Sequence, residues 1–262
     1  MLCVLLVRFS SIGDILLTTP LIRALARRHP DAKLICVTKR SMAPLVSEHP
    51  SLAQVVSLEP DESVQHLARR LRALAPTHGL DLHASLRSLA LRLLVRCRWS
   101  GFTKHKLARS ALISTKVDLY GGLVPVAERY FQAARSLDVH PDGQPPEFFL
   151  SPAARDRVDR WLVEKGLGNR ALAALAPGAA HATKRWPLPH WIALAQRLRS
   201  AGLVPVAVGG PDDRGLARQL GASGLAESAA GEFSLQGTGA LLARCRVLVS
   251  GDTGVMHMAT GV

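Results

Sequence analysis

The sequence has few aromatic residues, few cysteines and a shortage of acidic charge. Phe, Trp and Tyr make up 5% of the 262 residues, so the stacking surfaces of single-stranded nucleic-acid binders are thinly represented. The four cysteines are widely spaced and none forms a Cys-x-x-Cys pair, which favours a reducing cytoplasm over a disulfide framework. Cys3 and Cys36 are predicted to lie in buried strands. No His, Cys and carboxylate cluster has metal-ligand spacing, so neither a metal nor a cofactor is predicted.

Hydrophobic runs of membrane-spanning length are also absent. The apolar start, Met1 to Val7, is too short for a span and lacks the basic region and cleavage site of a signal peptide. It predicts a first strand instead. With 48% hydrophobic and 20% charged residues, the chain is expected to be a soluble globular protein with a sizeable core and two modest domains.

The charge balance is strongly basic. Lys and Arg number 33 against 20 Asp and Glu, which gives a formal net charge of +13. An excess of this size indicates an anionic partner such as a phosphorylated glycolipid, a membrane surface or a nucleic acid. A solvated basic surface also needs no partner, and both interpretations stay open.

A strand, loop and helix are predicted near the end of the sequence. The apolar run Val247–Val249 suits a buried parallel strand, and Asp252 or Thr253 suits the cap of the helix that follows. First-turn N–H groups, approached closely at Gly254, would seat a diphosphate, and His257 would add a hydrogen-bond donor. The alternative is an ordinary capped helix.

The N-terminal residues predict a second unit of strand, loop and helix. Leu2–Val7 reads as a strand, and the loop after it leads to Asp14 at the start of a helix towards Arg28. This places the Asp14 carboxylate at the sheet edge where open α/β folds bind ligands, although an aspartate there also serves as a plain helix cap. Pro20 is expected to kink this helix or to restart it.

Three stretches together resemble glycosyltransferase family 9, the bacterial ADP-heptose:lipopolysaccharide heptosyltransferases. They are SSIGDILLTTP at Ser10–Pro20, PGAAHATKRWP at Pro177–Pro187 and DTGVMHMA at Asp252–Ala259, and they follow the family's order and approximate spacing. The resemblance implies an α/β fold of GT-B type, with two Rossmann-like domains facing a cleft. It also implies an inverting transfer of heptose from ADP-heptose to the inner core of lipopolysaccharide.

The resemblance also implies roles for individual residues. Asp14 occupies the position of the family's proposed catalytic base. Lys184 is suited to a phosphate, and either Asp212 or Asp213 to the nucleoside. The donor-binding candidates are Gly178, Lys184, Asp212, Asp252, Thr253, Gly254 and His257. The acceptor-binding candidates are Ser11, Lys39, Arg40, His83 and Arg87.

Basic residues recur from Arg87 to Arg109. Within this stretch, apolar residues predict a buried helix face with the charges on the exposed side; they are Leu89, Leu91, Leu93, Leu94 and Val95. An anion-binding wall is the alternative.

The proline-rich segment Asp138–Pro152 predicts a domain boundary. We expect an acceptor domain at 1–145 and a donor domain at 146–262. Family members run past Val262, so the second domain is expected to be truncated and to leave an exposed sheet edge.

The expected partners are an ADP-sugar and a lipopolysaccharide acceptor, with no nucleic acid. The chain is expected to be monomeric and cytoplasmic, with peripheral association at the inner membrane. Two other hypotheses stand beside this one. The first is a non-catalytic fragment that binds nucleotide-sugar or anionic glycolipid, and the second is a basic nucleic-acid-binding module.

Overall fold

A computed structural model of the protein describes residues 1–104, 112–118, 122 and 124–262. The basic residues His105, Lys106 and Arg109 of the predicted charged stretch lie outside this part of the chain. The structure divides into two compact units, Met1–Pro146 and Glu147–Val262. Among the described residues, none of the helices combines the length and the apolar character that a membrane crossing requires.

Unit 1 is built on a parallel sheet of five strands in the order β3-β2-β1-β4-β5. The strands are β1 (Cys3–Val7), β2 (Lys33–Lys39), β3 (Gln54–Leu58), β4 (His78–Asp81) and β5 (Arg98–Gly101). The central strand β1 is buried along its whole length, as its uninterrupted apolar run predicts for a sheet covered on both faces. Cys3 and Cys36 are 6% and 1% exposed, in agreement with the prediction.

The strand order of unit 1 indicates where a ligand crevice is expected. The chain moves outward from β1 to β3 and then returns to the other side of β1, so the reversal falls between β1 and β4. In doubly wound folds, loops at the carboxyl ends of these two neighbouring strands form the ligand crevice. The loops that follow Val7 and Asp81 therefore begin side by side.

The helices of unit 1 are short. Outside residues 105–123, they are Ile12–Leu16, Thr19–Arg28, Val64–Arg72, Leu86–Leu94 and Val126–Tyr130, with 3-10 turns at Arg40–Leu45 and Phe131–Leu137. The chain after β1 forms two helices, because Pro20 lies in the first turn of the second one and has no N–H to continue the first. Of the two effects predicted for this proline, the structure shows the restart.

The helix Leu86–Leu94 packs on the sheet through a narrower face than its sequence predicts. Leu91 and Val95 are fully buried, whereas Leu89 and Leu93 are 48% and 78% exposed. The two buried residues are four positions apart and share one side of the helix, while residues two positions away point elsewhere. The predicted burial of Leu89 and Leu93 is therefore wrong.

Unit 2 holds a four-stranded parallel sheet in the order β8-β7-β6-β9. The strands are β6 (Leu172–Ala176), β7 (Val204–Ala207), β8 (Glu227–Ser228) and β9 (Cys245–Ser250). The helices are Pro152–Glu164, Leu188–Ser200, Arg214–Ala222, Leu235–Ala243 and Gly254–Ala259, with 3-10 turns at Ala182–Lys184 and Pro211–Asp213. The order again reverses beside the first strand, here between β6 and β9.

Strand β9 is not the buried strand that its apolar run predicts. It pairs with β6 on one side and lies at the edge of the described sheet, and its Val247 is 40% exposed. Apolar runs predict strands well but do not distinguish a central strand from an edge strand.

The segment that follows the turn Phe131–Leu137 is held on unit 1 by ion pairs to the helix Thr19–Arg28. Arg23 donates from Nε and Nη2 to the two carboxylate oxygens of Asp142 over 2.8 and 2.9 Å. Arg28 pairs with Asp138 at 2.8 Å. The Arg23 and Asp142 side chains are only 10% and 19% exposed, so this bidentate ion pair is better shielded from solvent than the pair of Arg28 and Asp138.

We expect Asp142→Asn to lower the free energy of unfolding by about 2 kcal/mol at neutral pH, because a charged two-pronged hydrogen bond is lost. Hydrogen bonds from Arg23 lower the pKa of Asp142 to about 2, against the opposing effect of burial. The stabilisation is therefore present above the ordinary aspartate pKa. It fades as pH falls from about 4 towards about 2, and urea unfolding across pH measures this.

Arg27→Gln is the matched control, because Arg27 contacts the same carboxylate at 3.4 Å but is 67% exposed. Its loss is expected to cost less than about 1 kcal/mol. Equal effects of the two substitutions would contradict the assignment.

Candidate functional site

The Asp14 carboxylate lies at the start of the first helix of unit 1, in the loop that follows β1. Its Oδ2 accepts hydrogen bonds from the Ser11 N–H at 3.2 Å and the Ser11 hydroxyl at 2.8 Å. The Arg8 guanidinium contacts the same oxygen at 2.5 Å. The other oxygen, Oδ1, accepts a longer hydrogen bond of 3.3 Å from the Tyr130 hydroxyl. The two carboxylate oxygens are thus unequally engaged.

Arg8 is a nearly buried cation, with 8% of its side chain exposed. Its Nη1 donates to the Leu82 carbonyl at 2.6 Å, and its guanidinium lies 5.8 Å from the centre of the Tyr130 ring. Residues from the ends of β1 and β4 and from the helix Val126–Tyr130 therefore meet around one positive charge.

The charge on Asp14 follows from these neighbours. Burial alone would raise the pKa of the carboxyl, but the charge of Arg8 and the hydrogen bonds from Ser11 outweigh it and lower the pKa. Asp14 is therefore ionised at neutral pH. Burial raises the pKa of Tyr130, so its hydroxyl stays protonated and donates to Asp14.

His83 lies two residues after β4, beside the same cluster. Its ring meets the ring of Phe9 edge-on, with centroids 5.3 Å apart. Burial, followed by the charges of Arg8 and Lys104, lowers the pKa of His83 to about 4. The imidazole is neutral at physiological pH, so this predicted acceptor residue offers a hydrogen bond and not a positive charge.

Lys39, Arg40 and Arg87 line one basic pocket, whose volume is 440 Å³. Lys39 is the last residue of β2, Arg40 follows it, and Arg87 lies in the first turn of the helix Leu86–Leu94. Arg40 pairs with Glu59 at 3.2 Å, whereas Lys39 and Arg87 have no carboxylate partner among the described residues. The pocket therefore has an excess of positive charge that suits an anionic group.

In unit 2, the predicted donor residues lie in the loops and turns after three strands. Gly178 and Lys184 follow β6, Asp212 follows β7, and Asp252, Thr253, Gly254 and His257 follow β9. Lys184 Nζ lies 2.5 Å from Asp252 Oδ2, in a pair whose side chains are 41% and 68% exposed. Thr253 caps the helix Gly254–Ala259, but its hydroxyl bonds Ser250 at 2.9 Å and leaves the first-turn N–H groups without a side-chain cap. Lys184 lowers the pKa of Asp252, and His257 contributes.

The backbone at position 178 lies so close to the Asp213 carboxylate that only glycine fits there. A Cβ atom there would lie 1.7 Å from Oδ1 of Asp213, and one on Gly209 would lie 2.5 Å from Oδ2. The Asp213 carboxylate also accepts the Gly210 N–H at 2.9 Å, within the loop after β7, and lies against the backbone of Gly178 in the loop after β6. Of the two aspartates that the sequence left open, Asp213 is engaged inside the loops and Asp212 is exposed.

The sequence did not indicate Arg8 or Tyr130. Tyr130 lies 116 residues from Asp14, so no local motif connects them. Arg8 had a signal, because a cation directly after a wholly apolar strand is expected to have a specific partner when it is buried.

The sequence profile of Glycosyltransferase family 9 (heptosyltransferase) matches residues 64–262, which is more than half of the chain. The chain belongs to glycosyltransferase family 9. It is a glycosyltransferase, as its three motifs predicted.

Relatives and solved structures agree with this assignment. Lipooligosaccharide heptosyltransferase 2 of Haemophilus ducreyi is 25% identical over 99% of this chain and 80% of its own length. Lipopolysaccharide heptosyltransferase 1 of Pseudomonas aeruginosa is 26% identical over 99% of this chain and 76% of its own length.

Among solved structures, a family 9 glycosyltransferase from Veillonella parvula superimposes with a TM-score of 0.85 at 19% identity, covering 98% of this chain and 77% of its own. An E. coli heptosyltransferase with ADP gives 0.74 at 23% identity, covering 98% and 84%. The predicted α/β fold class of GT-B type is confirmed.

We expect Arg8→Gln to raise the pKa of Asp14, because burial then acts without the opposing guanidinium charge. Carbon NMR of labelled aspartate, assigned with Asp14→Asn, measures the titration. Arg8→Lys keeps the charge and is expected to keep the pKa low. An unchanged Asp14 titration in Arg8→Gln would show that the ion pair does not control the carboxyl.

Proposed function

We propose that this glycosyltransferase moves a heptose from ADP-heptose to the inner core of lipopolysaccharide, with inversion at the anomeric carbon. The names of the relatives, lipooligosaccharide and lipopolysaccharide heptosyltransferases, support the sugar and the acceptor class. The E. coli relative with ADP supports the nucleotide. The observation that carries the proposal is the ionised Asp14 carboxylate. Its Oδ2 contacts Arg8 and accepts two hydrogen bonds from Ser11, whereas its Oδ1 accepts only one long hydrogen bond within the described part of the chain, from Tyr130.

In this proposal, Asp14 is the general base and its Oδ1 is the accepting atom. Oδ2 already takes three contacts from Arg8 and Ser11, whereas Oδ1 holds one 3.3 Å hydrogen bond from Tyr130. The acceptor hydroxyl passes its proton to Oδ1 while its oxygen attacks the anomeric carbon. The bond to ADP breaks on the opposite side and its electron pair leaves with the diphosphate, through an oxocarbenium-like state.

Unit 2 holds the leaving group in the same scheme. Lys184 supplies a positive charge to the diphosphate, and the N–H groups of the uncapped turn at Thr253 and Gly254 add hydrogen bonds, with His257 beside them. Because the Lys184–Asp252 pair is exposed, its exchange for a phosphate costs little. The exposed Asp212 is assigned to the nucleoside.

The basic pocket of Lys39, Arg40 and Arg87 holds the acidic groups of the acceptor, with Ser11 and His83 as further contacts. Two cations without carboxylate partners give this pocket its affinity for carboxylate or phosphate. The proposal includes a cytoplasmic enzyme that acts as a monomer at the inner membrane surface.

Asp14→Asn is expected to lower kcat at least about a hundredfold, because the amide cannot accept the acceptor's proton. The affinity for ADP, measured by calorimetry, is expected to stay within about twofold since Asp14 lies outside the donor loops. Turnover is followed as ADP release with a lipopolysaccharide-core acceptor. Near-normal turnover in Asp14→Asn would remove the base role.

Lys184→Ala is expected to weaken ADP binding by about tenfold or more, because a charge-assisted contact to phosphate is lost. Lys165→Ala is the matched control, since Lys165 is the C-cap of the helix Pro152–Glu164 and the donor residues follow β6, β7 and β9. Calorimetric titration with ADP measures both variants. Equal affinities in Lys184→Ala and wild type would contradict the phosphate contact, and ADP binding without any turnover would favour a binding protein.

A further inference from the structure

The helix Leu86–Leu94 presents large apolar side chains to solvent. Leu86, Leu89 and Leu93 are 87%, 48% and 78% exposed. Their spacing of three and four residues places them in one stripe along the helix, about 10 Å long at 1.5 Å per residue. The opposite side of the helix packs on the sheet through Leu91 and Val95, so the exposed stripe does not support the core.

Arginine side chains surround this leucine stripe. Arg87, Arg92 and Arg96 alternate with the leucines, and all three are exposed. A helix face with leucines at its centre and arginines beside them is typical of elements that lie in the interface of a bilayer. The leucines reach the acyl boundary in that arrangement, while the guanidinium groups remain at the level of the lipid phosphates.

We propose that the leucine stripe docks on the surface of an anionic lipid bilayer. Charge complementarity selects this occupant, because the stripe is flanked by cations on a chain of net charge +13. Three leucines also form a smaller contact than the roughly 800 Å² per partner that a stable protein interface buries.

The same helix links this surface to the basic pocket. Arg87 lines the pocket with Lys39 and Arg40, and Leu86 is its immediate neighbour in the helix. A lipid-anchored acceptor would enter the pocket from the bilayer on which the helix lies. This one step rests on the proposed function. The leucine stripe thus places the acceptor pocket near the membrane surface.

Vesicle flotation of the full chain tests the proposal without nucleotide or acceptor. Wild type is expected to bind vesicles of phosphatidylethanolamine and phosphatidylglycerol, and to bind phosphatidylcholine vesicles far less. The variant Leu86→Gln/Leu89→Gln/Leu93→Gln is expected to lose about tenfold or more in partition, since it removes the inserted apolar area. Val163→Gln, which replaces a side chain 71% exposed on unit 2, is expected to leave partition unchanged.

A fluorescent variant gives a second measurement that does not depend on loss of binding. In Leu93→Trp, the added emission is expected to shift to the blue on anionic vesicles, and lipids brominated on their chains are expected to quench it. Arg92→Gln/Arg96→Gln is expected to weaken binding to the anionic vesicles and to reduce its salt dependence.

Three results would overturn the proposal. They are unchanged partition in the triple leucine variant, an unshifted emission of Leu93→Trp on vesicles that the chain binds, and a wild-type dimer that the leucine substitutions dissociate while partition stays the same. A circular dichroism spectrum and a thermal unfolding midpoint equal to those of wild type show that each variant is folded. No step of the vesicle assay uses sugar transfer. Vesicle binding would therefore remain if the proposed function failed, and sugar transfer would remain if vesicle binding failed.

Discussion

The ion pair between Arg8 and Asp14 organises the functional edge of unit 1. A guanidinium with 8% of its side chain exposed has lost most of its hydration, which is unfavourable unless nearby groups replace the water. Asp14, the Leu82 carbonyl and the face of the Tyr130 ring provide that replacement. Because they come from three separate parts of the chain, one buried charge fixes the loop after β1, the end of β4 and the helix Val126–Tyr130 together.

The same ion pair limits how basic Asp14 is. A carboxyl whose pKa is lowered remains ionised across the physiological range, but it holds a proton weakly. A weak base suits a reaction in which the acceptor oxygen loses electron density to the forming bond, because its proton becomes acidic as the bond forms. In the proposed transfer, Asp14 therefore depends on its position more than on its basicity, and Arg8 and Ser11 hold that position through Oδ2.

The sequence indicated those parts of the candidate site whose residues are neighbours in the chain. Ser11 and Asp14, or Asp252 and Thr253, stand within three residues of each other and form recognisable loops. The sequence did not predict Tyr130 and Arg8, because their contacts form only in the folded chain. Apolar periodicity located the helix Leu86–Leu94 and the strand β9 but overestimated their burial, since it records how many apolar residues exist and not what covers them. The low pKa of His83 likewise depends on burial and on the charges of Arg8 and Lys104.

The two units use an ion pair at the same topological position, and the difference in exposure between the pairs determines what each can do. Both pairs lie where the strand order reverses, Arg8–Asp14 beside β1 and Lys184–Asp252 beside β6 and β9. Breaking the shielded pair would leave a nearly buried charge without a partner, so it acts as a permanent part of the fold. The pair in unit 2 is exposed by 41% and 68%, and water can solvate either member. In the proposed function an incoming diphosphate therefore replaces Asp252 at Lys184 at little cost, whereas displacing Arg8 from Asp14 would leave a nearly buried charge unpaired.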